Sequence, residues 1–486
     1  MEAYGDGLWL VRLLFQRGLA AIYLIAFLVA LKQFPALLGD RGLLPVSGFT
    51  QRVGFREAPS LFHWHYSDRL LATVAWLGIA LAGLTLLGIP EQGPLWLSMA
   101  VWWLLWALYL SIVNVGQTFY GFGWESMLLE AGFFAAFLGP RHVEPSPIPI
   151  LILRWMLFRV EFGAGLIKLR HDPCWWDLTC LFYHYETQPL PNPLSWYFHC
   201  LPKLFHKLSV VFSHVVQVLA PLGLFAPQPV ASIAAGLIIF HQLWLIISGN
   251  YSWLNWLTVV LGVVGLSDGV LEPLLPLAAP ELTPRPAMYE RLLYMLAGAT
   301  LVLSIQPTLN FISRHQVMNF SYNPLHLVNT YGAFGTITKE RYEIVLEGTA
   351  AAVVTPQATW KTYEFRAKPG DPMRRPPQVA PYHLRLDWLM WFLPFSAPRD
   401  IVTRDYELWF QRFVQKLLEG DPQTLKLLRN NPFPDRPPKF IRARCYRYHY
   451  ADREERRKTG AWWTRTWTDD YLPPVSLDAI TAGWRQ

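Results

Sequence analysis

The stretch RVEFGAGLIKLRHDPCWWDLTC (Arg159–Cys180) decides how this chain of 486 residues is read. Its first half continues an apolar run long enough to cross a bilayer, yet it carries Arg159, Glu161 and Lys168. Its second half opens into a loop dense in Trp, Asp, His and Cys. Charge inside a bilayer is expensive, so intramembrane ionisable residues need partners or a task. Working outward, apolar runs recur at about 8–31, 69–89, 95–113, 123–139, 149–169, 208–225, 229–248, 251–267 and 288–305. The spacing predicts about nine spans of a polytopic α-helical membrane protein. The first run reads as a span rather than a cleavable leader, since it is long and lacks a small-residue exit.

Composition agrees. The chain is 52% hydrophobic and 16% charged, against about a quarter charged in soluble domains. Residues 1–305 carry a net charge of −1 and the remainder a net of +8. The expected division is a transmembrane bundle over 1–305, with long loops at 32–68 and 170–207, and a soluble C-terminal domain over 306–486. There RYEIVLEGT (341–349), TWKTYEFRA (359–367), KFIRARCYRYHYA (439–451) and AWWTRTWTDDY (461–471) alternate as strands do. DYELWFQRFVQKLLEG (405–420) has helical spacing closed by Gly420. The expectation is a mostly β, sandwich-like domain with a helical insertion. Its basic and aromatic strands read either as a solvated sheet face or as a docking surface. No nucleic-acid motif is present, so no nucleic-acid partner is expected.

The polar residues inside the spans fall into patterns. Arg154, Glu161 and Lys168 are seven apart, which places them on one helical stripe with about 20° of drift per step. Arg159 lies on another face. Lys168 or Arg154 is the nearest partner for Glu161, and Ala164 and Gly165 beside the stripe admit a neighbouring helix. Ser126 and Glu130 share a face at i,i+4, with Glu125 pointing elsewhere. Asn114, Gln117, His214, Gln217, His241, Gln242 and Asn250 complete the set. The candidate membrane cluster is thus Asn114, Gln117, Glu125, Glu130, Arg154, Arg159, Glu161, Lys168, His241 and Asn250. It reads as helix-tying hydrogen bonds, as a ligand or transport cavity, or as a catalytic site. No HxxxH or CxxC pairing supports a metal or a redox centre, and no cofactor is expected. Of Cys174, Cys180, Cys200 and Cys445, the first two are the favoured disulfide pair if the loop faces an oxidising compartment.

Six segments together resemble the lipase maturation factor family: NVGQTFYGFGWESMLLEAGF (114–133), DPCWWDLTCLFYHYETQPLPNPLSW (172–196), SGNYSWLNWLT (248–258), LVNTYGAFGTITKERYEIVLEGT (327–349), VAPYHLRLDWLMWF (379–392) and AWWTRTWTDDYLPP (461–474). The resemblance implies a membrane-bound folding factor, not an enzyme. Such a factor assists secreted homodimeric lipases, its immature clients, from the endoplasmic reticulum membrane through a lumenal C-terminal domain. In a bacterial member the membrane would be the plasma membrane. The loop charges at Lys32, Arg41, Arg52, Arg56, Arg170, Lys203 and Lys207 point the other way by the positive-inside rule. A shorter match, FGAGLIKL (162–169) followed by CWW (174–176), is similar to the vitamin K-dependent γ-carboxylase family. That likeness implies an alternative, an integral-membrane enzyme with Lys168 as base and Glu161, Glu130 or His184 beside it.

Overall fold

The structure, a computed structural model, describes residues 7–396 and 406–483. Asp405, the first residue of the stretch expected as helix over 405–420, lies outside them. Nine principal helices build the first two-thirds of the chain: α1 (Trp9–Leu38), α2 (Asp68–Leu86), α3 (Leu95–Asn114), α4 (Gly123–Ala135), α5 (Pro147–Arg170), α6 (Lys203–Gly223), α7 (Val230–Ser248), α8 (Leu254–Gly265) and α9 (Ala287–Ile312).

Six of these are long and apolar enough to cross a membrane: α1, α2, α3, α6, α7 and α9. Their outward faces carry exposed Leu77, Leu84, Leu208, Ile233, Leu301 and Val302, the surface a lipid environment favours. The other three expected spans are helices of a different kind. α4 has 13 residues, about 20 Å at the α-helical rise and short of a bilayer core. α8 is likewise short. α5 has 24 residues but carries Arg154, Arg159, Glu161, Lys168 and Arg170. These three lie inside the bundle, where neighbours rather than lipid surround their polar groups.

After α9 the chain returns to the bundle before it forms a sheet. Among the described residues the sheet is single, four-stranded and antiparallel, in the order β2-β1-β3-β4. Its strands are β1 (Arg341–Thr349), β2 (Lys361–Thr362), β3 (Phe440–Tyr450) and β4 (Trp463–Val475). Two helices, α10 (Arg385–Ser396) and α11 (Leu408–Glu419), pack on β1 and β3 where a sandwich would place a second sheet. α11 ends as expected, with Gly420 in the left-handed region at φ 67°. The strand expected over 359–367 shrinks to two residues for a local reason. From Glu364 onward its backbone is satisfied by side chains: Glu364 N–H donates to Asn430 Oδ1 (3.0 Å) and Ala367 N–H to Asp387 Oδ1 (2.7 Å). A ladder is not needed there.

Sheet, helices and bundle share one continuous apolar core. It runs from Phe15 and Tyr109 through Leu327 and Tyr331 to Leu346, Leu386, Phe413 and Ile441. Backbones come close at Gly163 of α5, where an added Cβ would collide with the Tyr331 carbonyl oxygen. Gly163→Ala is therefore expected to lower stability by about 1–3 kcal/mol, the usual cost of overpacking. Gly236→Ala on α7, where a Cβ meets nothing within 4 Å, is expected to be neutral. Thermal unfolding in detergent compares the two; equal midpoints would refute the contact.

Candidate functional site

The expected polar cluster separates into a junction with the C-terminal region and a cavity. At the junction, two carboxylates project from α4 on different faces. Glu130 is fully buried. Its Oε2 accepts from Asn329 N–H (2.9 Å), Asn329 Nδ2 (2.8 Å) and the Tyr331 hydroxyl (2.8 Å). It also forms an ion pair with Arg159 of α5. Arg159 Nη1 donates in turn to the Asn329 carbonyl (2.5 Å). Ser126, one turn earlier on the same face, meets His326 Nδ1 at 3.0 Å. Glu125 faces the other way: its Oε2 accepts from the Tyr109 hydroxyl (2.5 Å), and its Oε1 lies 2.8 Å from Arg385 Nη1 of α10. The Arg385 guanidinium lies 3.4 Å from the Tyr120 ring centroid and donates to the Phe119 carbonyl (2.7 Å). Gln33 of α1 closes the joint, donating to the His383 carbonyl (2.6 Å) and accepting from Arg385 N–H (3.0 Å).

Other members of the expected cluster tie backbone. Arg154 donates to the Val264 carbonyl (2.7 Å) and the Leu224 carbonyl (3.2 Å), both at helix ends. Asn114 donates to the carbonyls of Pro59 (2.9 Å) and Pro324 (3.1 Å), and Gln117 to that of Leu44 (2.8 Å). Asn250 holds the segment before α10: its Nδ2 donates to Pro377 O (2.9 Å), and its Oδ1 accepts from Val379 N–H (3.0 Å) and Ala380 N–H (2.9 Å). These residues do structural work.

Glu161, Lys168 and His241 belong to the cavity. Two adjoining spaces of about 760 and 360 Å³ share Lys168, Tyr251, Asn255 and Phe334 in their walls. Lys168 Nζ donates to Gln217 Oε1 (2.5 Å) and lies 4.8 Å from the Trp175 ring centroid. Gln217 Nε2 donates to Glu161 Oε2 (3.2 Å), and Gln242 Nε2 to Glu161 Oε1 (2.6 Å). So the lysine and carboxylate expected to pair are bridged by an amide. Gln217 sits in a π turn, Val215–Leu219, inside α6. Pro221, four residues later, has no N–H to offer the Gln217 carbonyl, which favours such a widened turn. That carbonyl would lie 2.9 Å from a Cβ added at Gly165, so the glycine lets α6 approach α5 here.

His184, in the loop before α6, is 2.8 Å from the Tyr251 hydroxyl, which donates to Gln188 Oε1 (2.5 Å). Burial, and secondarily the Lys168 charge, push its pKa down to about 3, so the ring is neutral at physiological pH. It lines the cavity with Lys168, whereas Glu130 is saturated by donors at the junction. The four residues named for an enzymatic reading therefore do not form one constellation. In the same loop Cys174 and Cys180 are joined as a disulfide, with Cα atoms 4.9 Å apart. Among the described residues no group of three or more His, Cys, Asp and Glu is arranged to hold a metal.

Sequence reasoning missed Arg341, Glu343, Lys368 and Arg385, all buried here. Arg341 donates to the loop carbonyls of Glu186 (3.0 Å), Gln188 (2.5 Å) and Pro189 (3.1 Å), clamping the loop 170–207 to β1. No motif or spacing singled these residues out in the sequence. The one available signal was the Pro-containing stretch QPLPNP (188–193), whose carbonyls have no regular ladder to satisfy them.

Removing one member of a buried ion pair strands the other, at a cost of about 3–5 kcal/mol. Arg385→Met is expected to lose the monodisperse peak in size-exclusion chromatography, and Glu125→Gln with Arg385→Met to recover part of it. A double variant no better than the single would show that the pair is uncoupled.

Comparison with known proteins agrees with this architecture. The family model described as "Lipase maturation factor transmembrane domain" matches residues 10–273, and "Lipase maturation factor C-terminal domain" matches 327–473. The chain is 40% identical to Lipase maturation factor 1 of Homo sapiens over 98% of this chain and 90% of the relative. The mouse (Mus musculus) protein of that name is also 40% identical, over 97% and 88%. Lipase maturation factor 2 of Homo sapiens is 30% identical over 96% and 83%. No solved structure matches. With both domains matched in order and its relatives covered over most of their length, this chain belongs to the lipase maturation factor family.

Proposed function

We propose that this protein promotes the folding and assembly of secreted homodimeric lipases as a membrane-embedded factor, and that it binds the immature client through the C-terminal domain. In this reading residues 1–305 anchor the protein and 306–486 meet the client in the lumen of the endoplasmic reticulum. Holding a monomer that exposes its dimer surface suppresses aggregation without any catalytic group.

The observation that carries the reading is β4. It pairs with β3 on one side, and among the described residues no strand pairs with the other edge of its stretch Arg465 to Thr468. Its middle residues, Arg465 to Thr468, are exposed, and Trp467 is 53% accessible. An unpaired strand edge offers backbone donors and acceptors to an extended segment, and an exposed Trp supplies an anchor.

Lipase activity per unit of secreted mass, in cells lacking their own factor, tests this. The wild-type chain is expected to raise it, and Trp467→Ala with Arg465→Glu to lower it severalfold at equal expression. No rescue by the wild type would remove the lipase role; full rescue by the double variant would remove the β4 contact. Orientation has its own test. The helix Arg453–Thr459 has no buried residue and is rich in Arg and Lys. Trypsin is expected to cut there in sealed microsomes only after permeabilisation; cutting before it would put the domain in the cytosol.

A further inference from the structure

The cavity beside Lys168 has the features of a ligand site, and the family matches assign none there. We propose that it binds one neutral single-chain lipid whose head bears both hydroxyl and carbonyl groups, of the monoacylglycerol type. The inference does not rest on the client reading.

Three observations carry it. First, the walls hold buried polar atoms without partners: Asn255 Nδ2, Gln242 Oε1 and His241 Nδ1, on side chains each 4% exposed. An orphaned buried donor or acceptor costs about 1–3 kcal/mol, so a ligand that satisfies all of them is favoured by that removal. Lys168 adds capacity, since an ammonium has three donors and Gln217 takes one. The set offers donors and acceptors together. A head with only acceptors, or only donors, leaves part of it unmet.

Second, charge argues for neutrality. Lys168 and Glu161 already balance each other across the Gln217 bridge. Among the described residues no carboxylate lies within ion-pair distance of Lys168, and Glu161 is linked to it only through Gln217. A fatty-acid carboxylate in this space would give two negative groups to one cation in a low-dielectric setting. An ester carbonyl with hydroxyls accepts from Lys168 and Asn255 and donates to Gln242 without that penalty.

Third, the smaller space is lined by residues of both α6 and α7. Its outer wall is Phe205, Leu208 and Phe240, which are 37%, 58% and 56% exposed on the lipid-facing side of the bundle. A chain can enter from the bilayer with its head reaching the shared wall. Phe334 forms part of that wall with φ 56°, in a segment where Val328 also takes a left-handed conformation (φ 53°). Such conformations persist only where surrounding contacts hold them.

The experiment uses the full chain in nanodiscs, equilibrated with tritiated monooleoylglycerol and separated by gel filtration. Saturable binding near one per protein is expected, displaced by unlabelled monooleoylglycerol but not by equal concentrations of glycerol or oleate. Asn255→Leu is expected to weaken it about tenfold. Ser209→Trp, which fills the slot from a half-buried position, is expected to abolish it with the unfolding midpoint retained. A photoactivatable monoacylglycerol on the unmodified protein guards against variants that misfold, and should label the segment 205–212. Non-saturable uptake, labelling only elsewhere, or binding untouched by Ser209→Trp overturns the site. Equal displacement by oleate overturns the neutral head.

Discussion

The structure depends on keeping the two carboxylates of α4 neutralised in a place without water. Glu125 and Glu130 lie buried at the junction: Glu125 takes its cation, Arg385, from the C-terminal third, while Glu130 takes its cation, Arg159, from α5 and its remaining donors from Asn329 and Tyr331. A buried carboxylate without donors costs several kcal/mol. The bundle therefore has no comfortable state without the tail, and the two regions that match separate family models share one core. α4 can be short because protein and not lipid covers its ends.

The same constraint explains the buried arginines. Helices that end inside a membrane leave carbonyls without partners. Arg154 serves the ends of two of them, and Arg12 serves Val143 (2.7 Å) and Arg141 (3.0 Å) near the turn after α4. Arg341 does so for the end of the helix Leu181–Thr187 and the two residues after it. A guanidinium suits this because it presents several donors in a fixed plane and stays charged when buried. Where no arginine reaches, amides take over, as Asn250 does for the segment 377–380. At the cavity, by contrast, the unpartnered Asn255 Nδ2, Gln242 Oε1 and His241 Nδ1 belong to residues that line spaces large enough for a ligand.

Much of this was legible in the sequence. The outer helices announce themselves by length and hydropathy, β1, β3 and β4 by alternation, and the end of α11 by Gly420, because each reports a local periodicity or a local backbone need. The stripe of Glu161 and Lys168 was legible for the same reason, as was the separate face of Arg159. Less was legible at the inner helices. α4, α5 and α8 read as spans because a sliding pattern cannot tell a helix wrapped in protein from one wrapped in lipid. The sandwich was likewise a guess about what faces the sheet; α10 and α11 occupy that place.

The sequence by itself determined the membrane bundle, the strands, the positions of the polar groups on their helices and the resemblance to the family, since all of these follow from neighbours in the chain. Only the tertiary structure decided the pairings. Glu130 meets Asn329, Glu125 meets Arg385, and Gln217 intervenes between Glu161 and Lys168, across separations of 199, 260 and about 50 residues. The physical reason is that a buried charge is satisfied by whichever group the whole fold brings within about 3 Å, and no local pattern records which group that is.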